Sequence, residues 1–265
     1  MVFMEIIVAV VIVGIIGFIA GLGLSVASVV MAVPSNEHTE KLRAVLPGVN
    51  CGACGYSGCD AYANALAEGS AKTNLCIPGG KSTVTRIAEL LGVQADDFMG
   101  KKAKVLCNGS YVHTERKIKY KGIPTCDAAN MMYSGTSACD YACLGFGDCA
   151  NACEYGAIEI KNGVAVVDPR KCTGCTKCVS ACPKQIIEML PESANVVVIC
   201  KSLDKGAVVR RICDVGCIGC KLCVKVCQYD AITVDDNLAV IDQGKCTSCG
   251  ECVKVCPQNC IKMTA

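Results

Sequence analysis

Tryptophan is absent from this chain, phenylalanine occurs four times and histidine twice. Without large rings, the core has to be filled by Val, Ile, Ala and Cys, which is thin packing for 265 residues. Something besides apolar contact must hold the fold. His38 and His113 stand beside no plausible nucleophile, so general-base chemistry has no obvious seat. No Walker loop, no dinucleotide fingerprint after a strand and no flavin site can be found. The "GLG" at residues 21 to 23 follows no strand and sits in an apolar run. Charge of either sign is missing between Glu5 and Glu37. A net charge of +2 excludes neither acidic partners nor lipid headgroups.

What is abundant is cysteine, 25 in all. Such density in a short secreted chain would read as disulfides, but the recurring C-x2-C spacing suits metal ligation better. Thiolates that bind iron must stay reduced, which places them in the cytoplasm. The uncharged "IIVAVVIVGIIGFIAGLGLSVASVVMAV" is long enough to span a bilayer. Its n-region "MVFME" lacks the basic residues of a signal peptide, so residues 1–35 read as a transmembrane anchor. Lys41 and Arg43 follow the run and no basic residue precedes it, so a single pass with a cytoplasmic C-terminal part is expected. Gly14, Gly17, Gly21 and Gly23 would allow close approach of other membrane helices. Two basic runs, Lys101, Lys102 and Lys104, then Arg116, Lys117, Lys119 and Lys121, read as a solvated face or as a docking surface for an acidic carrier.

Residues 36–98 read as a small helical domain around one [4Fe–4S] cluster. Cys51, Cys54 and Cys59 lie in a Gly-rich turn, and Cys76 returns after the short helix "DAYANALAEG". The four-residue gap between Cys54 and Cys59 argues against zinc. "STVTRIAELLG" reads as a further helix, with Ser82 as N-cap, an apolar face of Val84, Ile87, Leu90 and Leu91, and Gly92 as the stop. "LPGVNCGACGYSGCDAYA" with "CIPGG" downstream resembles the iron–sulfur domain of B subunits of Rnf complexes, a domain that also occurs in corrinoid iron–sulfur proteins.

After a linker with short strands at 99–125, the chain duplicates itself, 126–190 and then 191–265. Every cysteine from Cys126 to Cys182 has a partner 74 positions on, without a gap, from Cys126 with Cys200 to Cys182 with Cys256. "IEIKNGVAVVD" and "ITVDDNLAVID" read as hairpins turning at Asn162–Gly163 and Asp236–Asn237. Each copy resembles a bacterial two-cluster ferredoxin, a family in which the fourth Cys of each run ligates the other cluster. That resemblance implies Cys217, Cys220, Cys223 and Cys256 for one cluster, and Cys246, Cys249, Cys252 and Cys227 for another. In the first copy it implies Cys172, Cys175, Cys178 and Cys153. The remaining set lacks a ligand, because Phe146 stands where the second copy has Cys220. Cys139, with Cys143, Cys149 and Cys182, is expected to complete it, Cys126 being the alternative. Cys107, Cys126, Cys200, Cys213 and Cys260 are left over. Small buried hydrophobes are one reading of them. It is kept for Cys260, which aligns with Ile186, whereas four of the leftovers could in principle hold a sixth cluster.

The fold class is therefore α+β: a transmembrane helix, a helical single-cluster domain and two ferredoxin-like modules. The order of parts is similar, over essentially the whole chain, to B subunits of the Rnf ion-translocating ferredoxin:NAD oxidoreductases, in their longer form with a doubled module. The resemblance implies an electron-transfer subunit with five [4Fe–4S] clusters. It would take electrons from soluble ferredoxin and pass them to membrane and flavin-containing subunits, with Na⁺ or H⁺ moved elsewhere. No nucleic acid and no nucleotide bound by this chain are implied. A tethered polyferredoxin of a hydrogenase or corrinoid system, and a redox sensor, are the other readings.

Overall fold

The computed structural model describes residues 2–30 and 37–264 and is mixed α/β. It divides into two compact units, Met1–Glu40 and Lys41–Ala265. The first contains α1 (Val2–Val30), 29 residues of helix. Its unbroken run of described side chains is 11–27, all exposed, including Phe18, Ile19 and Leu24. Among the described residues no helix is long and apolar enough to cross a membrane. Residues 31–35 of the expected anchor lie outside the described residues.

The second unit begins at Lys41, within the first helix of a helical part. α2 (Glu37–Val45), α3 (Cys59–Ala67) and α4 (Gly80–Leu91) pack Leu42, Leu46, Tyr62, Leu66 and Ile87 together, all buried. The Tyr62 hydroxyl donates to the Lys72 carbonyl at 2.7 Å, which satisfies its polar end inside the core. α4 stops at Gly92, whose left-handed φ of 66° returns N–H bonds to the last turn. Its start differs from expectation. Ser82 is already within the first turn, and the helix opens at Gly79–Gly80. The Thr83 side chain lies against Gly79, where a Cβ would stand 2.7 Å from it, so the chain turns there without a side-chain cap.

Four two-stranded antiparallel ribbons follow, two per module. In the first, β1 (Lys101–Val105) pairs with β4 (Ile187–Pro191), and β2 (Ile158–Lys161) with β3 (Val164–Val167). Short helices α5 (Cys126–Met131), α6 (Asp148–Asn151) and α7 (Lys177–Ser180) lie between them in sequence. In the second, β5 (Val196–Val198) pairs with β8 (Ile261–Met263), and β6 (Ile232–Asp235) with β7 (Leu238–Ile241). Its helices are α8 (Gly206–Ile212), α9 (Leu222–Val226) and α10 (Glu251–Val255). β1 falls in the stretch read as a linker with short strands and pairs with β4 along its length, from Lys101 opposite Pro191 to Val105 opposite Ile187.

A lone two-stranded ribbon is marginal, so each must pack on something. Val196, Val198, Ile232 and Ile261 gather in one module, and Ala103, Ile158, Ile186 and Ile187 in the other, each among cysteines. Both hairpin turns have positive φ at their two central residues, 49° and 82° at Asn162 and Gly163, and 45° and 66° at Asp236 and Asn237. These are the mirror-image turns that match strand twist. Against each turn rests a glycine: a Cβ on Gly145 would lie 2.6 Å from the Gly163 carbonyl oxygen, and one on Gly219 2.9 Å from that of Asn237. Both glycines also have positive φ. Gly145→Val is expected to cost about 3 kcal/mol, from left-handed strain plus a backbone clash. Denaturant unfolding of the loaded protein measures it, and a cost below about 1 kcal/mol would show that the loop yields freely.

Candidate metal centres

In the helical part, Gly52 and Gly55, at φ of 71° and 87°, curl the backbone so that Cys51, Cys54 and Cys59 come from one loop. The Gly55 N–H donates to the Gly52 carbonyl at 2.9 Å. The Asn50 side-chain carbonyl accepts from the Cys59 N–H at 2.8 Å, standing in for the cap that Gly58 lacks at the start of α3. Cys76 closes the group. Burial pushes its thiol up to about 11, and the neighbouring sulfurs of Cys59, Cys54 and Cys51 push the same way.

Cys153, Cys172, Cys175 and Cys178 ring a cavity with about 330 Å³ of open space beside Tyr155. The Ala103 N–H donates to Cys172 Sγ at 3.5 Å and the Ala157 N–H to Cys153 Sγ at 3.4 Å. Lys102 Nζ donates to the Cys172 carbonyl at 2.7 Å, and burial holds the Lys104 ammonium below its usual range. Part of the first basic run thus belongs to this site. In the second run, Lys117 is paired with Asp140 and Arg116 lies over the Tyr111 ring.

In the second module Cys217, Cys220, Cys223 and Cys256 line a cavity, with Cys260 at its wall. The Cys260 Sγ lies 3.6 Å from Cys256 Sγ; hydrogen bonding to Cys260 draws the Cys217 and Cys256 thiols down, while that of Cys260 is raised. Ile186 occupies the matching place in the first module's cavity, so a wall position need not supply a ligand. Cys252, pushed up chiefly by burial, also feels Cys246, Cys249 and Cys227.

The fourth group departs from expectation. One cavity is lined by Cys126, Cys143, Cys149 and Cys182, and Cys139 is not among its lining residues. Burial pushes Cys149 up to about 12, and the sulfurs of Cys143, Cys126, Cys182 and Cys178 push the same way. Two features bring Cys126 in. The Asp148 carboxylate accepts from the backbone N–H groups of Cys126 and Asp127, at 2.9 and 3.1 Å, tying the start of α5 to α6. Phe146 packs edge-on against Tyr120, 5.7 Å between ring centres, next to buried Cys126, Ala129 and Leu144. Cys139 lines a different cavity, with Cys107, Cys200 and Cys213.

Among the described residues no three His, Cys, Asp or Glu gather tightly enough for a single ion. Zinc draws its thiolates to about 2.3 Å of one point. Four sulfurs set around an open, apolar volume fit a cube, whose corners stand apart.

Comparison with known proteins matches residues 46–78 to a family described as "Putative Fe-S cluster", and residues 137–186 and 210–263 to two described as "4Fe-4S dicluster domain". The chain is 44% identical, over 94% of its own length and 75% of the relative's, to the B subunit of the Na(+)-translocating ferredoxin:NAD(+) oxidoreductase complex of Acetobacterium woodii. It is 42% identical to the B subunit of the proton-translocating ferredoxin:NAD(+) oxidoreductase complex of Clostridium ljungdahlii, over 88% and 82%. The B subunit of the ion-translocating oxidoreductase complex of Methanosarcina acetivorans is 39% identical over 93% and 94%.

Proposed function

Because the chain belongs to the family of B subunits of Rnf-type ion-translocating oxidoreductase complexes, we propose that it relays electrons from reduced soluble ferredoxin to membrane and flavin-containing partner subunits. The observation that carries this reading is the succession of four-cysteine groups in one chain. A [4Fe–4S] cube supplies a one-electron carrier whose potential its surroundings tune widely. The thiols proposed to hold such cubes are Cys51, Cys54, Cys59 and Cys76; Cys153, Cys172, Cys175 and Cys178; Cys126, Cys143, Cys149 and Cys182; Cys217, Cys220, Cys223 and Cys256; and Cys227, Cys246, Cys249 and Cys252.

The protein's own part is to place those sulfurs, keep water from them and point N–H groups at them. Its groups follow one another closely. A Cβ on Gly174, between Cys172 and Cys175, would lie 2.6 Å from the Ile77 side chain, next to Cys76. The helical part therefore abuts the first module, giving a short path between their sulfurs. α1 is proposed as a single-pass anchor that keeps the relay at the membrane, and its glycines leave room for neighbouring helices, since a Cβ at Gly14, Gly17, Gly21 or Gly23 meets nothing within 4 Å. Relatives named for Na⁺ and for protons share this chain's plan. The choice of ion is accordingly assigned to other subunits.

Membranes from cells lacking this chain are expected to lose ferredoxin-dependent NAD reduction and to regain it on complementation. Undiminished activity in its absence would overturn the reading.

A further inference from the structure

The geometry points to a sixth [4Fe–4S] site, built by Cys107, Cys139, Cys200 and Cys213 at the junction of the two modules. It rests on the reading above only in taking cubes as the occupants of such groups. The four cysteines line one cavity, as the cysteines of the three groups already described line theirs. Cys139 and Cys213 are buried and the other two half-buried. Gly109 marks the space between two of them: a Cβ there would lie 3.7 Å from both Cys107 Sγ and Cys213 Sγ, so these sulfurs are separated by no more than twice that distance. Cys139 lines the same space as Cys200 and Cys213.

The group is built as two equivalent pairs. Cys139 and Cys213 correspond through the duplication. Cys107 and Cys200 correspond through the fold. Each follows the first strand of its module, and the residue before each donates its N–H to a carbonyl at matching positions, Leu106 to Ile186 and Ile199 to Cys260, both at 2.7 Å. Each sulfur then accepts from a matching N–H: Cys143 to Cys107 Sγ at 3.4 Å, and Cys217 to Cys200 Sγ at 3.3 Å. The gap-free alignment pairs Cys200 with Cys126 instead, and Cys126 has been drawn into the first module's own group.

A strap of chain joins the halves. Tyr111 N–H bonds to the Asn162 carbonyl in the first module's hairpin turn, and Glu115 and Arg116 run antiparallel to Ser137 and Ala138. Thr114 bridges to Cys213, its hydroxyl donates to the Ile212 carbonyl at 2.7 Å, and His113 Nδ1 pairs with Asp214 at 2.8 Å. One segment thus bonds both to Cys213 and to the residues just before Cys139. The site's place gives it a role. It is one N–H···S contact from Cys143 and one from Cys217, so it lies between a group of the first module and a group of the second. Five cubes would leave this junction empty; a sixth makes the relay continuous.

Iron and acid-labile sulfide in the anaerobically purified full chain test this, with EPR of the reduced protein as a second readout. About 24 irons per chain are expected against about 20 for five cubes. Cys107→Ala should lose about four, and Cys107→Ala with Cys213→Ala no more than the same four. Cys126→Ala with Cys139→Ala should lose about eight, because these sulfurs serve different cubes. A Cys107→Ala protein that keeps all its iron, while Cys223→Ala loses about four, would overturn the sixth site and leave the other five standing. Loss from neither would overturn both, and zinc in place of iron at the junction would overturn the sixth site alone.

Discussion

A Cys126→Ala chain is expected to lose about four irons, and adding Phe146→Cys is expected to return them. The loss follows from where Cys126 sits, around one cavity with Cys143, Cys149 and Cys182. The return follows from the backbone on either side of Phe146. Gly145 and Gly147 have φ of 74° and 91°, and their counterparts Gly219 and Lys221, on either side of Cys220, have 62° and 60°. Two left-handed residues flanking one position turn its Cα–Cβ bond the same way in both copies. A sulfur at 146 should therefore be aimed as that of Cys220 is, toward its own module's cavity. The cost is the Tyr120–Phe146 contact, and at a half-buried ring that is expected to be well below the 3 to 5 kcal/mol of a fully buried Phe→Ala change, about 1 kcal/mol. Iron, sulfide and EPR intensity per chain decide it. Full iron in Cys126→Ala would sink the assignment of that cysteine. A double variant that stays four irons short while folded would sink the equivalence of positions 146 and 220.

Much of this architecture could be read from local signals. The turns at Asn162–Gly163 and Asp236–Asn237 were legible because a two-residue mirror-image turn depends on residues that tolerate positive φ, and those stand next to each other in sequence. Each three-cysteine run is likewise local, its spacing set within a single loop. What escaped depends on contacts distant in sequence. β1 looks like part of a basic linker until Ala103 is seen opposite Met189. Ser82 has the chemistry of a cap, but a tertiary contact between Gly79 and Thr83 starts the helix earlier. The fate of Cys139 was hidden most deeply. A gap-free repeat aligns Cys126 with Cys200, whereas the fold matches Cys200 with Cys107, outside the repeat altogether. The shared endings "VLC" and "VIC" were the one trace of that match in the sequence.

Deleting residues 1–35 is expected to move the chain from the membrane pellet to the soluble fraction with its iron unchanged. α1, the proposed anchor, has 29 residues and lies in a stretch with no charge from residue 6 to residue 36. Its described side chains include exposed Ile12, Ile15, Ile16, Phe18, Ile19 and Leu22. Fully burying a side chain of this kind contributes about 1.5 to 3 kcal/mol, so six of them outweigh any surface attraction a net charge of +2 can offer. The metal groups lie in the other compact unit, Lys41–Ala265. Their cavities are lined by residues from Ala103 onward, and the Cys76 group has its own buried core of Leu42, Tyr62 and Ile87. Iron content and membrane attachment should therefore separate in this one variant. Alkaline carbonate washing distinguishes a spanning helix from a docked protein: the full chain should resist extraction and the shortened chain should not need it. A full chain released by carbonate would show that partner subunits, and not α1, hold it at the membrane. A shortened chain that lost its iron would show that the first unit supports the metal groups as well.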